Sequence, residues 1–262
     1  MAGGAARGGG ATLAATPGEA ATAIALEPLR YGEAPRIILL GDSRCGKSHI
    51  TRQLIAGYLR AAPDGVVFVC DDKDPARPQF QGQYYRDPDE LEQPGREPAP
   101  EPRVVVFRGR GDEIMDDRGS AQLYESTARL QWKLARKRRR SLAVYDELDR
   151  AATGGQWIEN PSAIGWSYGK GGSVGVGSIA GTQETEAVPR QPFNQATAVI
   201  CVRMMGNPVR LLKQRGYCEG GVDKVLPRLP GTELPPAQRG YFVVLQRGRP
   251  WDQRVYRYAG TR

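Results

Sequence analysis

Short apolar runs alternate with helical patterns through most of this chain. Four of the runs predict strands, over residues 36–40, 66–70, 103–107 and 142–145. A helix is predicted after the first run, with Ile50 and Leu54 on its apolar face, and another before the fourth run, over 121–138. Strands that alternate with helices are typical of a parallel sheet covered on both faces. We therefore predict an α/β fold with a mainly parallel central sheet flanked by helices.

The other segments set the predicted limits of the domain. Residues 1–23 are rich in Gly, Ala and Thr, offer little to bury and predict a flexible arm, which leaves residues 24–262 as a single domain. Residues 71–102 hold too little apolar sequence for a core element and predict a surface excursion. The later predicted elements are an extended run over 174–181, a strand over 198–202 and a short helix over 209–214. Residues 240–258 predict a C-terminal β hairpin, a small β appendage of the domain.

The charge balance suggests a class of partner. Thirty-seven Lys and Arg residues against 29 Asp and Glu residues leave a net charge of +8. Such a surplus favours an anionic partner such as nucleic acid, although it equally serves solubility. No apolar run approaches the roughly 20 residues of a membrane span, and residues 1–23 lack the apolar core of a secretory signal. We expect a protein that is neither secreted nor membrane-spanning, with no transmembrane helix.

Cysteine spacing argues against a metal cage or a disulfide framework. The four cysteines are far apart in sequence, at Cys45, Cys70, Cys201 and Cys218. They form no C-x-x-C pair, and His49 is the only histidine that can join them. Neither zinc nor disulfides are expected, and the chain suits a reducing compartment.

The strongest motif follows the first predicted strand and opens a predicted helix. It matches G-x-x-x-x-G-K-[ST] with Gly41, Asp42, Ser43, Arg44, Cys45, Gly46, Lys47 and Ser48. In this context the pattern is typical of a P-loop, because its glycines let successive N–H groups face phosphate oxygens at a helix N-terminus. Lys47 supplies charge to the β and γ phosphates, and the Ser48 hydroxyl is suited to ligate Mg²⁺. We predict a nucleotide site formed by these eight residues and His49.

Two carboxylates end the fourth predicted strand. Asp146 is placed to hold a metal ion through water, and Glu147 is placed to orient and deprotonate an attacking water. A kinase must keep water away from the transferred phosphoryl group, so a base beside the metal carboxylate favours hydrolysis. The chain also lacks an Asn-Lys-x-Asp motif for reading guanine, which disfavours a GTPase.

A third element runs from residue 174 to Gln183. Parallel sheets bind ligands beyond the carboxyl ends of their strands, where Gln183 is placed to reach the γ-phosphate or the lytic water. The embedded G-x-G-x-x-A over 175–180 imitates a dinucleotide-binding fingerprint, but no helical pattern follows it. We therefore reject a Rossmann interpretation.

In this order the motifs resemble the HerA/FtsK superfamily of RecA-like P-loop ATPases. The resemblance is carried by the P-loop, Val69 to Lys73, Tyr145 to Glu147, Gly169-Lys170 leading into 174–183, and later by Val188-Pro189, Asn194, 199–203 and 240–244. It covers about residues 35–245. It implies a RecA-like domain that hydrolyses ATP with Mg²⁺ in a homo-oligomeric ring, usually a hexamer, and moves double-stranded DNA through a central channel. The roles implied for Lys47, Glu147 and Gln183 are catalytic.

Within that superfamily the chain looks most like the genome-packaging ATPases of tailless, membrane-containing icosahedral viruses. FtsK, HerA and the conjugative coupling proteins carry membrane, barrel or helical parts for which this sequence has no room. The resemblance implies double-stranded DNA as the cargo and capsid-vertex or membrane proteins as docking partners. It also implies a location in the host cytoplasm or at the packaging vertex of the virion.

Two features of the family are not met directly. Its P-loop usually has a glycine where Arg44 or Cys45 stands, and Lys170 occupies a place where Arg is common. A ring ATPase also needs an arginine from the neighbouring subunit at the γ-phosphate. The candidates for this trans arginine finger are Arg203, Arg190 and Arg150.

A run of five basic residues, 136–140, precedes the fourth predicted strand. Basic residues at a helix C-terminus are favoured by the helix dipole, which accounts for much of the run. Phosphate contacts with DNA are the second interpretation, because such contacts are independent of sequence.

Two other functions stay open on the sequence. A P-loop kinase acting on a small acceptor would need neither a ring nor DNA. A nucleotide-gated assembly factor, like the Zot-type proteins of filamentous phages, would bind ATP with negligible turnover; such proteins usually carry a membrane anchor.

Overall fold

The strands and helices follow the alternation in the sequence. The structure is a computed structural model, and it describes residues 16–42, 44–71, 79–92, 103–108, 116–218, 220–232, 240–247 and 249–258. The strands in this part of the chain are β1 (Thr16–Pro17), β2 (Arg36–Leu40), β3 (Val66–Cys70), β4 (Gln83–Tyr85), β5 (Val104–Phe107), β6 (Ser141–Tyr145), β7 (Ala152–Thr153), β8 (Gln156–Trp157), β9 (Val176–Thr182), β10 (Ala198–Cys201), β11 (Tyr241–Leu245) and β12 (Tyr256–Arg257). The α-helices are α1 (Gly18–Ala25), α2 (Lys47–Ala61), α3 (Asp117–Arg136), α4 (Ala163–Lys170), α5 (Arg190–Gln195) and α6 (Asn207–Gln214).

Ten of the strands form one mixed sheet, in the order β1-β12-β11-β10-β2-β9-β6-β3-β5-β4. All neighbours from β10 to β4 pair in parallel. β11 runs antiparallel to β10 and β12 antiparallel to β11, so the C-terminal strands extend the main sheet at one edge. The prediction of a mainly parallel sheet flanked by helices is confirmed. A separate two-stranded antiparallel pair, β7 with β8, follows the turn after β6.

Alternate residues of each central strand face two separate cores. In β2, Ile37 and Leu39 pack with α1 and α2 on one face. Ile38 and Leu40 point to the opposite face, which α3, α4 and α5 cover. A strand buried on both faces has no polar side, which explains the continuous apolar runs of the sequence.

The segment predicted as a flexible arm contains a packed helix. Helix α1 begins at Gly18, inside residues 1–23, and Ala21 and Ala25 of this helix are fully buried. Its small side chains allow close approach to α2, where a Cβ on Gly57 would lie 2.5 Å from Thr22 Cγ2. The Thr22 hydroxyl also lies 2.6 Å from the Tyr258 hydroxyl. Residues 1–15 lie outside the described residues.

The segment predicted as a surface excursion supplies an edge strand. β4 pairs in parallel with β5 at the far edge of the sheet. Its three residues are only partly buried or exposed, so they leave no apolar pattern in the sequence. The rest of this segment, beyond 79–92, lies outside the described residues except for Asp71.

Two helices of the structure, α4 and α5, were not predicted from the sequence.

Helix α3 begins earlier than the sequence pattern indicates. The Asp116 carboxylate accepts a hydrogen bond from the Gly119 N–H at 2.7 Å and caps the helix.

Within the described residues, no helix has both the length and the apolar content that crossing a membrane requires.

Candidate functional site

Three neighbouring strands bring the predicted site residues to one edge of the sheet. Leu40 of β2 pairs with Thr182 of β9, and Tyr145 of β6 pairs with Ala180. Because the strands are parallel, the loops after them start side by side. The P-loop, Gln183 and the pair Asp146 and Glu147 therefore lie at the same edge.

The first glycine of the P-loop is fixed by close packing. A Cβ on Gly41 would lie 2.4 Å from Val202 Cγ2 and 2.7 Å from the Arg203 carbonyl oxygen, and its φ of +132° is one that side chains disfavour. The Asp42 N–H donates to the same carbonyl at 3.0 Å. The start of the loop is thus held against the chain that leaves β10.

Two further P-loop residues have left-handed backbone. Gly46 has a φ of +101°, and a Cβ there would lie 3.1 Å from Gly240 Cα. Arg44 has a φ of +61°, a conformation that costs a residue with a Cβ more than it costs glycine. This backbone explains why a glycine suits the position better than Arg44. Cys45 beside it is buried and packs in the core, whereas Ser43 lies outside the described residues.

Lys47 and Ser48 begin α2 at the mouth of the loop. The Lys47 ammonium donates to the carbonyl oxygens of Gly41 and, at 3.2 Å, of Asp42. The helix N-terminus adds N–H groups and a partial positive charge at the same place. This arrangement is suited to bind phosphate oxygens.

Gln79 is a contact of the site that the sequence did not reveal. The Ser48 hydroxyl donates to Gln79 Oε1 at 2.8 Å. The Gln79 N–H donates to Asp71 Oδ2 at 3.1 Å, and Arg52 donates to the Gln79 carbonyl at 3.1 Å. The one feature of the sequence that pointed to this contact is Asp71, because it directly follows the buried strand β3.

His49 packs against the C-terminal strand region. Its ring lies edge-on to the Tyr258 ring with centroids 5.8 Å apart. Burial lowers the pKa of His49, and the positive charge of Arg52 lowers it further. The imidazole is therefore neutral at neutral pH, and it adds no charge to the phosphate site.

Asp146 lies buried at the end of β6, with 6% of its surface exposed. Strand β9 comes so close that a Cβ on Gly181 would lie 2.3 Å from the Asp146 carbonyl oxygen. A carboxylate and a hydroxyl are hard oxygen donors, and Mg²⁺ in phosphate sites takes one or two such protein ligands beside water and phosphate oxygens. Ser48 and Asp146 thus fit the predicted Mg²⁺ by the chemistry of their donor atoms.

Both carboxylate oxygens of Glu147 are hydrogen-bonded within the chain. Gln183 Nε2 donates to Oε1 at 3.1 Å, and Arg150 Nε donates to Oε2 at 3.1 Å. Arg150 in turn donates to the Ser120 hydroxyl at 3.4 Å, in the first turn of α3. The Glu147 carboxylate is therefore oriented by Gln183, which follows β9, and by Arg150, which α3 supports through Ser120.

A third carboxyl group, that of Asp149, lies two residues after Glu147. Burial raises the pKa of Asp149, and the negative charge of Glu147 adds to the shift. Asp149 is therefore more readily protonated than a carboxyl group in water.

The three candidate trans arginines have different surroundings. Arg150 already bonds Glu147 of its own chain. Arg203 lies beside its own P-loop, since its carbonyl accepts from Asp42. Arg190 begins α5 and is exposed. Of the three, Arg190 is the side chain that presents its charge to the outside at this edge.

Solved structures with a similar fold include a viral ATPase. The chain superimposes with a TM-score of 0.59 on the genome packaging NTPase B204 from Sulfolobus turreted icosahedral virus 2 in complex with sulfate, at 15% identity over 88% of this chain and 99% of the other. The same NTPase in complex with ATP-gammaS gives a TM-score of 0.58 at 15% identity, over 85% and 95%. The pCW3 conjugation coupling protein TcpA gives 0.50 at 15% identity, over 86% of this chain and 60% of that one.

Comparison of the sequence alone does not identify a family for this chain. No family model matches the sequence, and no curated protein is significantly similar to it. The structural likeness nevertheless shows that this chain has the fold of the P-loop ATPases.

Proposed function

We propose that the protein hydrolyses ATP and uses the energy to move double-stranded DNA, as the genome-packaging motor of a virus. The observation that carries the hydrolytic part is the Glu147 carboxylate, which Gln183 and Arg150 orient at the P-loop edge, next to Asp146. A base in this position suits activation of water, which a kinase must exclude. The likeness to a genome packaging NTPase supports the DNA cargo.

The side chains then have separate tasks. Lys47, with the N–H groups of the P-loop, binds the β and γ phosphates, while Ser48 and Asp146 hold Mg²⁺. Mg²⁺ supplies neutralisation of the charge that develops on the phosphates. Glu147 takes the proton of the attacking water, and Gln183 positions that water against the γ-phosphate.

The protein acts as a homo-oligomeric ring in this proposal, and the family resemblance implies six subunits. Arg190 is the candidate to reach the γ-phosphate of a neighbouring subunit, because it is exposed at the edge where nucleotide binds. Docking to capsid-vertex or membrane proteins, and a site of action in the host cytoplasm or at the packaging vertex, belong to the same proposal.

Steady-state ATP hydrolysis with and without long double-stranded DNA, across a salt series, tests it. We expect DNA to stimulate turnover and salt to weaken the stimulation. Glu147→Gln should lower turnover by about 100-fold or more while ATP still binds, and Glu186→Gln, an exposed carboxylate in the loop after β9, serves as the matched control. Turnover that DNA does not change at low salt would contradict a motor and favour a small acceptor; ATP binding with no turnover would favour a nucleotide-gated assembly factor.

A further inference from the structure

The edge of the sheet opposite the nucleotide site carries an excess of arginine and lysine. Strands β6 and β9 begin there, and α3 and α4 end there, since each helix leads back to the start of the next parallel strand. Basic residues at this edge include Arg36, Arg103, Arg136, Lys137, Arg138, Arg139, Arg140 and Lys170.

Some of these side chains are used within the fold. Arg103 donates to the carbonyl oxygens of Leu59 at 3.1 Å and Ala62 at 3.0 Å, at the end of α2. Arg36 donates to the Tyr168 carbonyl at 3.1 Å. These two arginines satisfy carbonyl groups at helix ends, so their presence needs no external partner.

Four consecutive residues are not used in this way. Arg136, Lys137, Arg138 and Arg139, here called the basic cluster, are all exposed. With the residues that the structure describes, none of the four side chains forms a hydrogen bond or an ion pair. The helix dipole accounts for Arg136, which lies in the last turn of α3, but its effect falls off beyond that turn.

The backbone of Arg138 shows that the cluster carries charge at a conformational cost. Arg138 N–H donates to the Ala135 carbonyl at 2.9 Å and Arg139 N–H to the Leu134 carbonyl at 3.1 Å, the two hydrogen bonds that close a helix in a Schellman motif. Arg138 occupies the left-handed position of that motif, with a φ of +58°. Glycine is the residue that fits there with least strain, so arginine at this position is not explained by the fold.

The same exposed face continues along α3. Arg129 and Lys133 precede Arg136 at spacings of four and three residues, which places the three on one side of the helix. From Arg129 to Arg136 the helix rises about 10 Å at 1.5 Å per residue. Over that length duplex DNA presents roughly six phosphate charges at one per 1.7 Å.

We propose that the basic cluster binds the phosphate backbone of double-stranded DNA. This inference rests on the proposed function, and it places a DNA contact on the edge of the sheet opposite the nucleotide site. Contacts of this kind are independent of base sequence and weaken with salt, as a motor that moves along any sequence requires.

The test measures binding of a short blunt duplex by fluorescence anisotropy over a salt series, without nucleotide. The test variant changes all four cluster residues to Gln, which lowers the net charge from +8 to +4. The control variant changes Arg30, Arg210, Lys224 and Arg228 to Gln, four exposed residues outside the cluster, and gives the same net charge. Thermal unfolding and DNA-free ATP hydrolysis are measured on both variants. The cluster variant should differ from the wild type in these two properties by no more than the control variant does.

We expect the cluster variant to bind duplex at least tenfold more weakly at low salt than the control variant. Its plot of log affinity against log salt should lose about three to four units of slope, close to one for each phosphate contact. Equal losses in the two variants would overturn the inference and leave the proposed function standing. No duplex binding by the wild type at low salt would overturn both.

A single substitution separates binding from folding. Arg138→Gly should keep or raise the unfolding midpoint, by up to about 2–4 °C, because glycine relieves the left-handed backbone. The same substitution should weaken duplex binding and reduce the salt slope by about one unit. Unchanged duplex binding by this variant would contradict the assignment. Binding to phosphatidylserine vesicles is measured as well, and a cluster variant that keeps duplex binding but loses vesicle binding would also contradict it.

Discussion

The side-chain amide of Gln183 donates a hydrogen bond to the carboxylate of Glu147 at 3.1 Å. The two residues follow neighbouring strands, β9 and β6, and they are separated by 36 positions in the sequence. The contact sets the orientation of the Glu147 carboxylate from outside its own loop. The proposed base and the proposed γ-phosphate contact therefore act as one unit.

Substitutions of this pair should not be additive. Gln183→Ala should lower the turnover number by about 10- to 100-fold, because it frees the carboxylate and removes the group that positions water. Glu147→Gln should cost more, and the double variant should be close to Glu147→Gln alone. Turnover numbers of the four proteins at saturating ATP measure the coupling. Multiplicative losses would show that the two side chains act independently.

Arg150 should act within its own subunit. Its hydrogen bond to Glu147 at 3.1 Å leads us to expect that Arg150→Ala lowers turnover by about 10- to 100-fold with ATP binding retained. Arg118→Ala, an exposed arginine in the first turn of α3, is the control and should have little effect.

Mixed assemblies decide between action within one subunit and action across the interface. Arg150→Ala subunits are mixed with Glu147→Gln subunits, which retain Arg150. If Arg150 acts in its own chain, the mixture is no more active than its two components. Recovery of turnover in the mixture would identify Arg150 as the trans arginine instead.

Gly181→Ala should destabilise the fold and reduce activity. The added methyl group would meet the Asp146 carbonyl oxygen at 2.3 Å, so β6 and β9 must separate, at a cost of about 1–3 kcal/mol in unfolding free energy. Gly169→Ala is the matched control, because its methyl group would meet only the end of the Gln191 side chain at 3.0 Å. Alanine in that helix should be neutral or stabilising. Urea unfolding of both variants checks the contrast, and equal effects would refute the packing argument.

Glu125→Gln should change how stability depends on pH. Glu125 of α3 is 3% exposed and accepts hydrogen bonds from the Ser162 hydroxyl and, at 2.6 Å, from the Ala163 N–H. Burial raises the pKa of Glu125 above 4.5, although these hydrogen bonds oppose the shift. The folded state therefore binds a proton more readily than the unfolded state, and this carboxyl makes folding less favourable as pH rises above about 4.5.

The glutamine side chain does not acquire that charge. The unfolding free energy of the variant relative to the wild type should thus rise with pH from about 4.5 upward, by at most about 1.4 kcal/mol per pH unit. Urea unfolding at several pH values measures the difference. A difference that stays constant with pH would show that Glu125 has no raised pKa.

The sequence predicted those elements whose burial leaves a pattern. β3 has the limits that its apolar run indicated, Val66–Cys70, because all five residues are buried on both faces. Helix α1 was missed because alanine and threonine have little apolar surface, and they pack well only where α2 allows close approach. β4 was missed because an edge strand of three residues need not be apolar.

The site could be predicted residue by residue but not as a set of contacts. Spacing and strand position suggested the P-loop, Asp146, Glu147 and Gln183, since parallel strands end at one edge. The Ser48–Gln79 hydrogen bond joins residues 31 positions apart across a loop with no regular pattern. The bond between Arg150 and Glu147 depends on the turn after β6, whose geometry the sequence does not encode in any periodic way.

Displacement of a third strand tests the central claim most directly. A long linear duplex carries a triplex-forming strand near one end, and release of that strand is measured with ATP and Mg²⁺ present. We predict ATP-dependent release by the wild type and none by Glu147→Gln, which still binds both ATP and duplex. DNA-stimulated ATP hydrolysis without release of the third strand would contradict translocation.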